Sequence, residues 1–397
     1  MRKLSAHYIF TGNGDVLQKG IITLDNDGHV LEVTDTHGQL TEQANIEFYS
    51  GVIVPGFVNC HCHLELSHLH ALFPEKTGLP DFLKNVVAHR PDDKTSIEKA
   101  ARIADLKMWK NGIVAVGDIS NGMDSFRVKA ESKLFYHTFI ETLGFSPERA
   151  EKAFAWSEFC RQAAHDLGLD SSVVPHAPYS ISARLFGLIA EKAKVENTIL
   201  SIHNQESADE DQLYQNGSGS LAQHLKDNLG IDISFFQPTG KSALETVLSY
   251  LPAENHLLLV HNIYTSKHDV QKIHTMRSEG KTWFVLCPAS NCYIENRLPD
   301  IAMLRKSGIP ICLGTDSLSS NHELSVLNEI SYIQYFFPEI TFTELISWAT
   351  RNGAAALKID HRYGTIEPGK QPGINLISGL EPETFRVLPS ARVKRLF

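Results

Sequence analysis

From residue 51 onward the chain alternates short apolar runs with stretches of helical period. The first run carries Val52, Ile53 and Val54, passes Pro55-Gly56, continues through Phe57 and Val58, and ends at Asn59-Cys60-His61-Cys62-His63. Seven more follow at 113–116, 134–140, 173–174, 198–202, 257–260, 283–286 and 309–313. Between them, 95–110 opens on the capping-box pattern Thr95-Ser96-Ile97-Glu98 and stops at Asn111-Gly112, and 147–167 reads as a helix stopped by Gly168. Helices over 323–336 and 343–357 complete the series. Eight strands alternating with helices predict an α/β fold, a parallel sheet closed as a (β/α)8 TIM-type barrel.

Residues 1–50 follow a different rhythm. Short β-like runs at 7–11, 20–24 and 29–33 are punctuated by Gly12-Asn13-Gly14 and Asp25-Asn26-Asp27-Gly28, which is hairpin-turn chemistry. This segment is too small to bury a core alone, and 364–380 offers a partner. The expected organisation is a small composite β-sandwich from 1–50 and 364–397 around a catalytic barrel at 51–363.

Composition narrows the function classes. Hydrophobic content of 42% and charged content of 21% over 397 residues describe an ordinary globular chain. The net charge of -9 argues against a binder of nucleic-acid polymers or membrane surfaces, which needs a basic face. No apolar run approaches 18 residues, and the N-terminal residues lack the pattern of a signal peptide. Six scattered cysteines read as reduced thiols of a cytoplasmic protein. A small-molecule substrate fits these bounds.

The chemistry lies where the runs end. Alternation along a strand puts His61 and His63 on one side, where two imidazoles can hold one metal ion, with Cys62 facing away. Taken alone, the pair reads more readily as two core or surface histidines, and the metal reading depends on the later ligands. The later runs end near Asp118, Glu141, His176, His203, His261, Cys287-Pro288-Ala289-Ser290-Asn291 and Asp316. Barrel enzymes carry their catalytic groups at these strand ends.

These motifs resemble the amidohydrolase superfamily of metal-dependent hydrolases. PGFVNCHCH is similar to its first-strand signature, and His203-Asn204-Gln205-Glu206 to the fifth-strand His-x-x-Glu of its aminohydrolase branch. CPASN resembles the seventh-strand motif, LGTDS the eighth-strand aspartate and GTIEPGK the closing segment. The resemblance implies His61, His63, His203 and Asp316 as ligands of one divalent metal ion, Zn²⁺ or Fe²⁺, with an open position for water. The fourth strand ends without the lysine that bridges two metals in binuclear members. Two departures stand out. Asn262-Ile263-Tyr264 follows His261 where relatives often carry a second histidine, and Gln371-Pro372-Gly373-Ile374-Asn375 replaces the usual Ala-Asp-Leu.

The implied reaction is hydrolytic deamination of an amino-substituted heterocycle, an aminopurine nucleoside type above all, releasing ammonia. Glu206 would protonate the ring nitrogen, while His261 and Asp316 take the proton of the water and orient it. The acidic run Asp209-Glu210-Asp211 reads as solvated loop. Glu65, in His63-Leu64-Glu65-Leu66-Ser67, is placed to accept from a sugar hydroxyl. His176 is either a second such contact or a loop-capping histidine, and Arg297 either pairs a carboxylate or sits idle on the rim. Residues 68–90 read as a lid with Phe73, Leu79 and Phe82 as walls. The HLELS continuation resembles deaminases acting on aminodeoxyfutalosine and, more loosely, on adenosine or S-adenosylhomocysteine. Guanine deaminase, a triazine-type chlorohydrolase and an inactive barrel relative are the alternatives, and a homodimer is the family's expectation.

Overall fold

The computed structural model describes residues 1–41, 45–89 and 94–397. The N-terminal strands are β1 (Arg2–Phe10), β2 (Val16–Gln18), β3 (Ile21–Leu24), β4 (Val30–Thr34) and β5 (Ile46–Pro55). The first apolar run of the sequence analysis is two strands, not one. β5 ends at Pro55, and β6 (Phe57–Cys62) starts a different sheet. Gly56 makes the junction because nothing larger fits: a Cβ there would stand 2.2 Å from Val114 Cγ1 and 2.6 Å from the Pro372 carbonyl oxygen. Its N–H donates to that carbonyl at 3.1 Å, which ties the junction to the far end of the chain.

β6 pairs in parallel with β7 (Ile113–Ser120), β7 with β8 (Phe135–Thr142), and β8 with β9 (Asp170–Pro175). A second parallel sheet runs β10 (Leu200–Asn204), β11 (Leu257–His261), β12 (Thr282–Leu286) and β13 (Ile311–Leu313). Every residue of β6, β7, β10, β11, β12 and β13 is buried, as expected of parallel strands covered on both faces. Hydrogen bonds also join the sheets. The Thr315 and Asp316 N–H groups both donate to the His61 carbonyl at 3.0 Å, and the His203 N–H donates to the His176 carbonyl at 2.9 Å.

β14 (Ile374–Leu380) and β15 (Val387–Arg395) return to the terminal sheet, which runs β15-β14-β5-β1-β3-β4 with β2 beside β1. Its seven strands form one hydrogen-bonded sheet with a fork. β1 pairs with β3 through residues 2–5 and with β2 through 8–10. Leu4, Ile9, Ile22, Leu24, Ile53 and Ile374 fill its core, separate from that of the parallel sheets.

Several elements differ from the sequence expectation. The helix after residue 94 already contains Lys94 and Thr95, so Thr95 is not its N-cap, and the residues just before lie outside those described. The helix expected at 147–167 is a single 3-10 turn, Pro147–Arg149, followed by an α-helix over Ala150–Asp166. The helix expected at 343–357 breaks at Thr350 (φ -135°, ψ -84°), where the side chain turns back to the Ile346 carbonyl at 2.6 Å. Ser325, not Glu323, begins the preceding helix, its hydroxyl accepting from Asn328 N.

Candidate active site

Four side chains distant in sequence converge at the C-terminal ends of the strands. His61 lies in β6 and His63 just beyond it; His203 lies in β10, and Asp316 follows β13. His63 Nε2 stands 3.2 Å from both His61 Nε2 and His203 Nε2. Asp316 Oδ1 is 3.5 Å from the Nε2 atoms of His61 and His63. The Ser290 and Ser320 hydroxyls donate to Asp316 Oδ2 at 2.6 and 2.7 Å, leaving Oδ1 turned toward the imidazoles. Burial works against the Asp316 charge, but contact with His61 and His63 outweighs it and holds the carboxyl well below its usual range.

Burial pushes His61 down to about 3 and His63 well below its ordinary value, and it also lowers His203. These imidazoles therefore stand neutral at pH 7. His203 Nδ1 donates to the His176 carbonyl at 2.8 Å, so its Nε2 offers a lone pair to the cluster. Among the described residues Asp316 has no lysine or arginine partner. Lone-pair nitrogens and an oriented carboxylate oxygen, packed together without a cation, are the donor set a divalent ion completes.

Glu206 and His261 lie beside this cluster. The two are in the same buried region, with Glu206 Oε1 3.6 Å from His261 Nε2. Desolvation lifts the Glu206 carboxyl to about 8, above the opposing pull of His203, with Asp316 and Glu295 raising it further. At neutral pH it carries a proton. His261 Nδ1 sits 2.8 Å from Asn291 Oδ1, which fixes the proton on Nδ1 and leaves Nε2 as a buried acceptor with no hydrogen-bond partner among the described residues.

The backbone here is unusual. Gln205 (φ 46°), His261 (φ 74°), Asn262 (φ 60°) and Asp316 (φ 55°) are all left-handed. Each costs about 1–3 kcal/mol and persists only where the surroundings over-determine it. Asn262 shows how. Its N–H donates to the Asn204 carbonyl at 3.0 Å, its amide NH₂ to the Leu259 carbonyl at 2.7 Å, and its Oδ1 accepts from Asn204 Nδ2 at 3.0 Å. The departure from the usual second histidine thus brings a backbone anchor, and Tyr264 follows with its N–H on the Gln205 carbonyl at 3.0 Å.

The expected substrate contacts are placed unequally. Glu65 is buried in the short 3-10 helix Leu64–Leu69, and its Oε1 accepts from Asn121 N at 3.1 Å. The Asn121 side chain in turn donates to Glu141 Oε2 at 2.6 Å, so Glu65 and Glu141 share one polar wall. Oε1 of Glu141 is 3.4 Å from His203 Nδ1. The His176 ring packs on the His203 ring at 4.9 Å between centroids, with Nδ1 2.7 Å from the Ser180 hydroxyl. Arg297 is exposed, its guanidinium 4.6 Å above the Tyr264 ring, outside the histidine cluster. Phe73, Leu79 and Phe82 are buried in a second apolar cluster with Leu66, Tyr179 and Tyr293. The lid segment is held there by Leu79 N on Glu295 Oε1 at 2.8 Å and by the Tyr293 hydroxyl on the Phe73 carbonyl at 2.6 Å. Arg90, its expected end, lies outside the described residues.

Sequence reasoning gave no role to the groups that hold the site in place. Asp118 accepts from Leu64 N at 2.8 Å and pairs with Lys129 Nζ at 2.5 Å, both side chains fully buried. This fixes the backbone directly after His63. Lys129, in a five-residue helix, gave no signal in the chain. Ser290 and Asn291 stood inside the CPASN motif, and only their contacts with Asp316 and His261 reveal what they do.

The chain is similar over most of its length to known proteins. The chain is 28% identical over 362 residues to adenosine deaminase of Helicobacter pylori, covering 88% of this chain and 85% of that protein. It is 29% identical over 373 residues to aminodeoxyfutalosine deaminase of Nitratiruptor sp., covering 91% and 88%. The crystal structure of Helicobacter pylori aminofutalosine deaminase in complex with methylthio-coformycin superposes over 100% of both chains, with a TM-score of 0.82 at 24% identity, and so shares the fold. The model of the amidohydrolase family matches residues 52–397. The chain belongs to the amidohydrolase family.

Proposed function

We propose that this protein is a metal-dependent hydrolytic deaminase of an aminopurine nucleoside-type substrate, releasing ammonia. The observation that carries the reading is the buried Glu206 carboxyl 3.6 Å from the Nε2 acceptor of His261, at the edge of the His61, His63, His203 and Asp316 cluster. Those four would hold one divalent ion, zinc in our reading. When bound, it lowers the pKa of a water from about 15.7 toward about 7.

The chain's own groups do the rest. Glu206 gives its proton to the ring nitrogen next to the amino-bearing carbon, which makes that carbon electrophilic. His261 Nε2 takes a proton from the attacking water as the C–O bond forms. The C–N bond then breaks as His261 returns its proton to the departing nitrogen and the Glu206 carboxylate takes the proton of the new hydroxyl, which leaves both residues as they began. The products are the ring carbonyl compound and ammonia. The buried position of all these groups keeps bulk water from competing for the protons. Glu65 and His176 are read as contacts to the sugar, and Arg297 as a rim residue.

The relatives' names favour nucleoside deamination over triazine dechlorination, and two of them name aminodeoxyfutalosine or adenosine. We read the two parallel sheets as halves of one closed eight-stranded barrel, supported by the hydrogen bonds between them, and the terminal sheet as a separate domain divided from it at Gly56. Among the described residues no helix is long and apolar enough to cross a membrane, and all six cysteines are free, which suits the cytoplasm. The test is ammonia release from adenosine, 5′-substituted adenosines, aminodeoxyfutalosine, guanine and a chlorotriazine by the zinc-loaded protein. Turnover confined to the aminopurine nucleosides supports the reading; chloride release, or no ammonia from any of them, overturns it.

A further inference from the structure

The acidic run after Glu206 is not solvated loop. Glu210 is fully buried, and its Oε1 accepts from Gln205 N at 2.6 Å. Asp211 and Asp269 bracket the Gln205 side chain, whose Nε2 lies 3.2 Å from Asp211 Oδ2 and 3.2 Å from Asp269 Oδ2. On the other side of the amide, Gln205 Oε1 accepts from the Thr265 hydroxyl at 2.8 Å. The Gln205 carbonyl accepts from Tyr264 N. The backbone N–H and C=O and both ends of the side-chain amide are therefore engaged.

The partners are themselves fixed. Asp269 accepts from the Ser242 hydroxyl at 2.5 Å and from Ser266 N at 2.9 Å, and Asp211 accepts from Ala243 N at 2.8 Å. Two acidic side chains thus bracket the Gln205 side-chain amide and a third holds its backbone N–H, and none of these contacts reaches the histidine cluster. Such an arrangement needs a purpose, because glutamine does not adopt a φ of 46° readily. The next residue supplies one. Reversal of the backbone at Gln205 decides where the side chain of Glu206 points, and it points at His261 Nε2.

We propose that Gln205 is a positioning residue for Glu206. Its bracketed side chain and the Glu210-held N–H keep the left-handed turn that aims the Glu206 carboxyl at the reacting atoms. The proposal rests on the reading of Glu206 as the proton donor.

The test is a double-mutant cycle on the zinc-loaded protein. Q205A and Thr265→Val are made in the parent and in an E206Q background, and kcat, KM and zinc content are measured under single-turnover conditions at high enzyme concentration. Q205A should lower kcat by about 10- to 100-fold, the scale of an ångström-level misplacement, with KM and zinc content unchanged. In the E206Q background the same change should cost no more than about twofold, because a residue acting through Glu206 has nothing left to position. Thr265→Val, which removes the hydroxyl on Gln205 Oε1 together with its long 3.5 Å contact from Asn204 Nδ2, should follow the same pattern at a few-fold and decides the matter if Q205A does not fold. An equal kcat loss in both backgrounds, or loss of zinc in Q205A, overturns the proposal. If E206Q collapses while Q205A and Thr265→Val keep the parent kcat, only the positioning role fails. If E206Q itself turns over like the parent, the proton-donor reading fails and the proposal with it.

Discussion

The two parallel sheets hold their functional side chains by different physics. At the ends of β6–β9 no non-glycine residue has positive φ, and His61, His63 and the Glu65 turn are set by strand register and by the Asp118–Lys129 pair beneath them. At the ends of β10–β13 the backbone is strained at Gln205, His261, Asn262 and Asp316, and side-chain hydrogen bonds pin it. The first sheet supplies fixed donors. The second supplies His203 and Asp316 as further donors and also aims the proton-handling groups, and direction there is bought with strain. Substitutions at the first should disturb metal binding and stability, and at the second they divide: changes at His203, Asp316 and their supports weaken metal binding, whereas changes at Glu206 lower turnover.

The largest expected effect is at His203, a metal donor that also bonds across to the first sheet. His203→Ala removes an Nε2 donor and the Nδ1–H that holds the His176 carbonyl, so zinc content by elemental analysis should fall to near zero together with ammonia release. E206Q belongs to the second sheet alone: turnover should drop by about 10²–10⁴-fold while zinc stays bound. The Glu206 carboxyl works protonated and is held at about 8, so kcat should fall about tenfold per unit above that pH. A pH–rate profile checks this.

Lys129→Met probes the first sheet. It leaves Asp118 buried without its cation and should cost about 3–5 kcal/mol in urea unfolding. Ser290→Ala removes one of two hydroxyls on Asp316 Oδ2 and should weaken zinc about 10- to 100-fold in a chelator competition. The smallest effect is expected far from both. Arg2→Ala breaks the Arg2–Glu47 pair at 2.8 Å in the terminal sheet, and with both side chains partly exposed the loss in urea unfolding should stay under about 1 kcal/mol.

The same contrast explains what could be read from the chain. Alternation in β6 puts His61 and His63 on one side, and the atoms that meet in the structure do lie within 3.2 Å. A strand's period of two is a local property, so local sequence carries it. The division at Gly56 is not local: the apolar pattern runs straight through Pro55-Gly56, and sheet membership there is decided by Pro372, over 300 residues away. β15 was missed because its outer positions are polar and Pro389 interrupts the alternation. Asp209-Glu210-Asp211 reads as a charged surface run, yet a helix starting at Ala208 turns Glu210 inward, where Gln205 N meets it. Lys129 is one lysine among many until the fold buries it on Asp118.

The most direct test is a paired measurement on one preparation: zinc per chain, and ammonia released from an aminopurine nucleoside, for the parent and for E206Q. We predict about one zinc per chain in both proteins, with ammonia from the parent and turnover lower by at least about 100-fold in E206Q. Two zinc ions per chain, or E206Q releasing ammonia as fast as the parent, would contradict it.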